Sequence, residues 1–143
     1  MRFWDSSALM PLVVGDRRDG RSKRVRGWIG EDPGIVLWTL TEIELRSGLA
    51  RLSREGHLED EALHAAARRA DELVEREHVV EDLPAVKARA KRLLMVHRLR
   101  AADALQLAAA LVACGDQPGS LELVTFDERL SEAARREGLT VRE

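Results

Sequence analysis

Hydrophobic positions along the chain alternate between short unbroken apolar runs and longer stretches with one apolar face. "RFW" ahead of Asp5, "IVLW" at 35–38 and "LELVTF" at 121–126 read as short buried strands. "HVVED" reads as another short strand, and "LTVR" as a final edge strand. The pattern between them is helical. Ser6 can cap "SALMPLVVG", which Pro11 is expected to kink or shorten. A basic amphipathic helix over about 19–29 ends at "EDPG". Ile43, Leu45, Leu49 and Leu52 fall near helical spacing in a segment that Gly56 stops. Further helices are predicted over about 59–74, from Pro84 to about 96, through "LRAADALQLAAAL" as far as "CGDQPGS", and over "DERLSEAARREG".

Strands alternating with crossover-length helices predict an α/β fold with a parallel sheet covered on both faces. No repeat, low-complexity tail or linker interrupts the pattern, so a single domain over 1–143 is expected. The single cysteine, Cys114, cannot form an internal disulfide, which fits a reducing cytoplasm; it reads as a small core residue. No run is long enough for a membrane span, and the opening residues lack the charged start and long apolar centre of a signal peptide.

The net charge of −2 hides an uneven distribution. Residues 17–26 hold six basic side chains and one acid, and residues 83–102 hold six basic side chains and no acid. Such clusters attract polyanions when they are more than solvated helix faces. Lys91, Arg92 and Arg98 are therefore candidate contacts to a nucleic-acid backbone.

One polar residue is out of place. Asp103 opens the most apolar helix of the chain, and a buried carboxylate is unfavourable unless it is paired, hydrogen-bonded or bound to a metal. Ligands of open parallel sheets bind beyond the carboxyl ends of the strands. Asp5 directly follows the first strand, Asp127 directly follows "LELVTF", and Glu42 lies in the first helical turn after the second strand. Singly, Asp5 and Asp127 could simply cap helices, and Glu42 could be a first-turn acid favoured by the helix dipole. Together with Asp103 they can converge on one edge. Converging carboxylates must take up protons or bind a cation, and oxygen-only ligands suit Mg²⁺ or Mn²⁺. Such an ion can position water and stabilise charge on a phosphodiester.

These residues carry a resemblance. "FWDSSALMPL", "TLTEIELRSGLARL", "LRAADALQLAAAL" and "LVTFDERLSEAARREGL" resemble, in order and over nearly the whole chain, the four motifs of PIN-domain ribonucleases, specifically VapC-type toxins. The resemblance implies a three-layer α/β/α fold, Mg²⁺- or Mn²⁺-dependent cleavage of RNA, a homodimer and a cognate antitoxin. It places the acids at Asp5, Glu42, Asp103 and Asp127. Asp5 and Asp103 are the direct metal ligands in this reading, with Glu42 and Asp127 acting partly through water. Thr125 and Ser6 are supporting hydroxyls that hydrogen-bond the carboxylates. Pro11 and the arginine- and glycine-rich stretch 15–34 depart from the family pattern.

Two rival readings are weighed against this one. "GDRRDGRS" approaches the P-loop pattern of a nucleoside triphosphatase, with Arg21 in the lysine position, but Asp16 and Asp19 would repel phosphate. A catalytically inactive PIN module used for dimerisation or binding would not need all four acids. No Gly-x-Gly-x-x-Gly follows the first strand, and no lysine closely follows "LELVTF" as a receiver-type phosphoacceptor requires. His57, His64, His78 and His97 show no metal-binding spacing and are expected at the surface, whereas Trp4, Trp28 and Trp38 are expected in the core or an interface.

Overall fold

Period-two alternation in the strands divides the interior into two cores. The computed structural model describes residues 1–15, 20–115 and 117–143. Its sheet comprises β1 (Arg2–Trp4), β2 (Ile35–Trp38), β3 (His78–Val80), β4 (Glu122–Val124) and β5 (Thr140–Arg142), in the order β3-β2-β1-β4-β5 with every pairing parallel. Phe3, Val36, Trp38 and Leu123 point to one face, and Trp4, Ile35, Leu37 and Val124 to the other. Burial on both faces explains why the central strands read as unbroken apolar runs.

The Phe3 face is covered by α5 (Leu83–Val96), α6 (Ala101–Ala113) and α7 (Glu128–Arg136). The Trp4 face is covered by α1 (Ser6–Val14), α2 (Arg21–Glu31), α3 (Thr41–Arg54) and α4 (Asp60–Arg76). The result is the three-layer α/β/α architecture expected from the sequence. Cys114, Trp4 and Trp38 lie in these cores as expected.

Two sequence expectations are corrected. Helix α1 is not shortened by Pro11: it continues to Val14 and ends at Gly15, whose φ is 89°. His97 is not a surface residue. Its side chain is 5% exposed and its Nε2 lies 2.7 Å from Glu137 Oε1, a carboxylate that Arg92 also binds.

The N-terminal edge of the sheet is fastened by charge. Arg2 Nε donates to Glu122 at 2.6 Å, and Arg142 bonds Glu122 at 3.1 Å and Glu31 at 2.6 Å. Arg2 also reaches Glu31 at 3.1 Å and the carbonyl of Trp28. The end of α2 is thereby tied to β1, β4 and β5, leaving the opposite edge for chemistry.

Alanines set the distance between α6 and its neighbours. Ala104, Ala108 and Ala110 are fully buried beside Leu107, so larger side chains have no room. Ala108→Leu should lower stability by about 1–3 kcal/mol through overpacking. Leu107→Ala should lower it by about 2–5 kcal/mol through the cavity it leaves. Urea melts of the two variants measure both effects.

Candidate active site

Parallel pairing brings the carboxyl ends of β1, β2 and β4 to one edge, and the turns leaving them carry the acids. Asp5 follows β1 and is the N-cap of α1. It is 5% exposed, so the most enclosed carboxylate of the site is Asp5, whereas Asp103 is half-buried. Asp103 is only partly enclosed because Ala101 and Ala102 lie at the exposed start of α6, which becomes buried from Ala104 onward.

Asp5 is held from one side. Its Oδ2 accepts the Ser7 backbone N–H at 3.1 Å, the Thr125 hydroxyl at 2.9 Å and the Ser7 hydroxyl. The same two hydroxyls organise the next turn: Ser7 Oγ accepts the Phe126 N–H at 2.9 Å, and Thr125 Oγ1 accepts the Asp127 N–H at 3.0 Å. The turn carrying Asp127 is therefore built on Asp5. Ser6 Oγ lies 3.4 Å from Asp5 Oδ1, but its single proton goes to Glu44 Oε2 at 2.8 Å.

On α3 the structure brings Glu44, rather than Glu42, up to these residues. Glu42 is exposed, whereas Glu44 is partly buried against Ser6 and Gln106. Two helical steps turn the side chain by about 200°, so the two acids leave α3 in nearly opposite directions. The buried stripe of α3 is Thr41, Leu45, Gly48 and Leu49, and the two acids flank it on either side. Ile43, assigned to the apolar face from the sequence, is 59% exposed, and that assignment obscured which flank faces the site.

Gln106 and Ser7 also belong to the site and were missed. Gln106 is 1% exposed; its Nε2 donates to Thr41 Oγ1 and to Glu44 Oε2, both at 3.0 Å. A signal for it existed, since Gln106 is the second polar residue of an apolar helix, one turn after Asp103.

The four carboxylates share one arrangement. Asp5 and Glu44 each bind the fold through one oxygen. Asp103 Oδ2 accepts the Arg100 N–H at 3.4 Å, and Asp127 Oδ1 accepts the Leu130 N–H at 2.8 Å as the N-cap of α7. Among the described residues the second oxygens of Glu44, Asp103 and Asp127 accept no hydrogen bond, and that of Asp5 has only the Ser6 hydroxyl, at 3.4 Å. Burial, first of all, raises the pKa of Asp5, Glu44 and Asp103. Neighbouring charge adds to it: Asp127 acts on Asp5 and Asp103, and Asp5 acts on Glu44 and Asp103. Among the described residues, no three His, Cys, Asp or Glu side chains close into a metal-binding cluster unaided. Mg²⁺ does not require one, because it keeps several waters and takes one or two carboxylates directly.

A PIN-domain family model matches residues 2–136. The chain belongs to the PIN-domain family. Ribonuclease VapC45 of Mycobacterium tuberculosis (strain CDC 1551 / Oshkosh) is 33% identical over 139 residues, covering 97% of this PIN chain and 92% of that relative. FitAcB from Neisseria gonorrhoeae has the same fold, with a TM-score of 0.66 at 20% identity over 100% of this chain and 97% of that one. A toxin–antitoxin complex from Klebsiella pneumoniae matches with a TM-score of 0.62 at 18% identity, over 92% and 90% of the two chains.

The P-loop reading fails on topology. "GDRRDGRS" joins α1 to α2, whereas a P-loop joins a strand to a helix; its residues 16–19 lie outside the described ones. The proposed backbone contacts are dispersed. Arg92 is tied to Glu137 at the far end of α7, about 15 Å along the helix from Asp127. Arg98 lines a concavity along α7 with Arg129 and Arg136, and Lys91 is exposed on α5. Arg17 and Arg18 lie outside the described residues.

The raised carboxylates set a pH dependence. Their folded-state pKa values lie above the unfolded ones, so the folded protein binds more protons across that window and is destabilised as pH rises through it. Thermal melts of metal-free protein over a pH series should therefore show this contribution decline as pH rises above the ordinary carboxylate range. Asp5→Asn should shrink this dependence, which assigns it to the site.

Proposed function

We propose that this chain is a divalent-metal-dependent endoribonuclease and the toxin of a toxin–antitoxin pair. The observation that carries the reading is the arrangement of Asp5, Glu44, Asp103 and Asp127 at one sheet edge, each with one oxygen bound to the fold and one left over. An inactive binding module has no use for four unneutralised acids. The name of the 33%-identical ribonuclease and the toxin–antitoxin neighbour support the same conclusion.

The donor set fits Mg²⁺ or Mn²⁺, being oxygen-only and partly pre-oriented. Asp5 and Asp103 would hold the ion directly, with Glu44 and Asp127 acting partly through water. When bound, the ion supplies Lewis-acid stabilisation of the charge that develops on the phosphodiester. The chain's own residues do the rest. Ser7 and Thr125 fix the Asp5 carboxylate through Oδ2. Gln106 and Ser6 do the same for Glu44. Burial around Asp5 strengthens its attraction for a cation. Lys91 and Arg98 are proposed to meet the RNA backbone on the α5–α6 side, while the ion pair of Arg92 with Glu137 turns it to bracing the loop before α6. The protein works in the cytoplasm as a homodimer that its antitoxin holds inactive.

Glu44→Gln should reduce RNA cleavage by about 100-fold or more, and Glu42→Gln by less than about twofold, in a cleavage assay with Mn²⁺. Asp103→Asn should abolish cleavage and weaken Mn²⁺ binding by calorimetry while leaving metal-free stability equal or higher. Full cleavage by Glu44→Gln would contradict the assignment.

A further inference from the structure

The segment 97–100, which joins α5 to α6, runs back along α7. His97 at its start is bound to Glu137 at the C-terminal end of α7, and Arg100 at its close lines one concavity with Asp127 and Arg129 at the N-terminal end. Between the segment and the helix lies a groove of about 490 Å³. One face of α7 forms its wall: Arg129, Glu132, Ala133 and Arg136 follow the i, i+3, i+4, i+7 spacing and span about 10 Å along the axis. Val96, Arg98 and Leu99 stand on the other side.

The charges of this groove do not balance. Among the described residues that line it are three arginines and one carboxylate, Glu132. That carboxylate is taken by Arg136 at 2.5 Å, and Glu137 beside it is taken by Arg92 and His97. Arg98 and Arg129 are exposed and form no ion pair with a described residue. Helix stability does not account for Arg129, which stands in the first turn of α7, where the dipole disfavours a cation. Arg129 also lines the concavity of about 350 Å³ that holds Asp103 and Asp127. The groove therefore opens onto the acids. A strand with a phosphodiester at Asp103 and Asp127 that continues into the groove meets Arg129 first and Arg98 beyond it.

We propose that the groove between segment 97–100 and α7 holds the RNA backbone beside the scissile bond, with Arg129 and Arg98 as its phosphate contacts. The proposal rests on the endoribonuclease reading. A guanidinium presents its N–H fork to two phosphate oxygens at once, and neither of these two has a carboxylate of the groove to give up first. Two cations on one side of the pocket offset the repulsion between its carboxylates and the RNA backbone, and they give the strand a direction. An acidic peptide suits the same arginines less well. Continued past Arg129, it brings its carboxylates against Asp103 and Asp127, whereas an RNA delivers there the bond that the site breaks.

The test compares two double variants that remove equal charge from opposite sides of the sheet. A labelled mixed-sequence single-stranded RNA of about 20 nucleotides is titrated by fluorescence anisotropy on the Asp103→Asn background across a salt series. Arg98→Ala/Arg129→Ala should weaken binding roughly tenfold or more and reduce the log–log salt slope by about 1.4. Arg98→Lys/Arg129→Lys, which keeps both charges, should bind within about threefold of the background protein. Lys23→Ala/Arg26→Ala, on α2 across the sheet, should change affinity by less than about twofold. Equal effects of the two alanine doubles, or none from Arg98→Ala/Arg129→Ala, overturn the groove. Loss of poly-glutamate binding in that variant with RNA affinity unchanged assigns the groove to an acidic protein segment and overturns it likewise. Cleavage by the unmutated chain is measured alongside. If that chain cleaves RNA while the alanine doubles agree, only the groove falls; if it cleaves no RNA with Mg²⁺ or Mn²⁺, the nuclease reading falls and the groove with it.

Discussion

A carboxylate enclosed at the end of β1 is the constraint on which the site depends. Asp5 sits where the chain turns from β1 into α1, at 5% exposure, and three donors converge on one of its oxygens. Those donors come from two segments far apart in sequence. The hydroxyls of Ser7 and Thr125 that hold Asp5 also hold the backbone of Phe126 and Asp127. Asp5 is thus at once a helix cap, a tether between the β1 and β4 ends, and one side of an acidic pocket. A neutral residue there could cap α1, but it would not create the electrostatic demand for a cation.

That demand accounts for the layout around it. Glu44 and Asp103 reach the pocket from helices on opposite faces of the sheet, α3 and α6, joined through Gln106. Their mutual repulsion opposes a closed cage and favours an ion that keeps part of its water. The parallel sheet makes the meeting possible, since it sends β1, β2 and β4 out at one edge. The ion pairs of Arg2, Arg142, Glu31 and Glu122 secure the opposite edge.

Much of this was legible in the sequence, for identifiable reasons. Strands buried on both faces give unbroken apolar runs, and the helices between them are long enough to show their period. Asp5 and Asp127 could be located because each directly follows such a run. Asp103 stood out against an apolar helix, although it is only half-buried and Asp5 is the enclosed residue. Glu42 and Glu44 flank the same buried stripe, so the sequence pattern did not separate them; only tertiary packing places Glu44 against Ser6 and Gln106 and leaves Glu42 exposed. His97 was misplaced for a related reason: its partner, Glu137, lies 40 residues away, and no local pattern records such a pair. Pro11 does not end α1, which runs on to Val14.

The central claim is that each carboxylate binds the fold through one oxygen and offers the other to a divalent cation. Anomalous scattering from crystals grown with Mn²⁺ tests it most directly. The account predicts a peak bonded to Asp5 through Oδ1 and to Asp103, with Glu44 nearer to it than Glu42 and with the Ser7 and Thr125 bonds to Oδ2 intact. A peak remote from Asp5, or none at saturating Mn²⁺ in a protein that cleaves RNA, would contradict it.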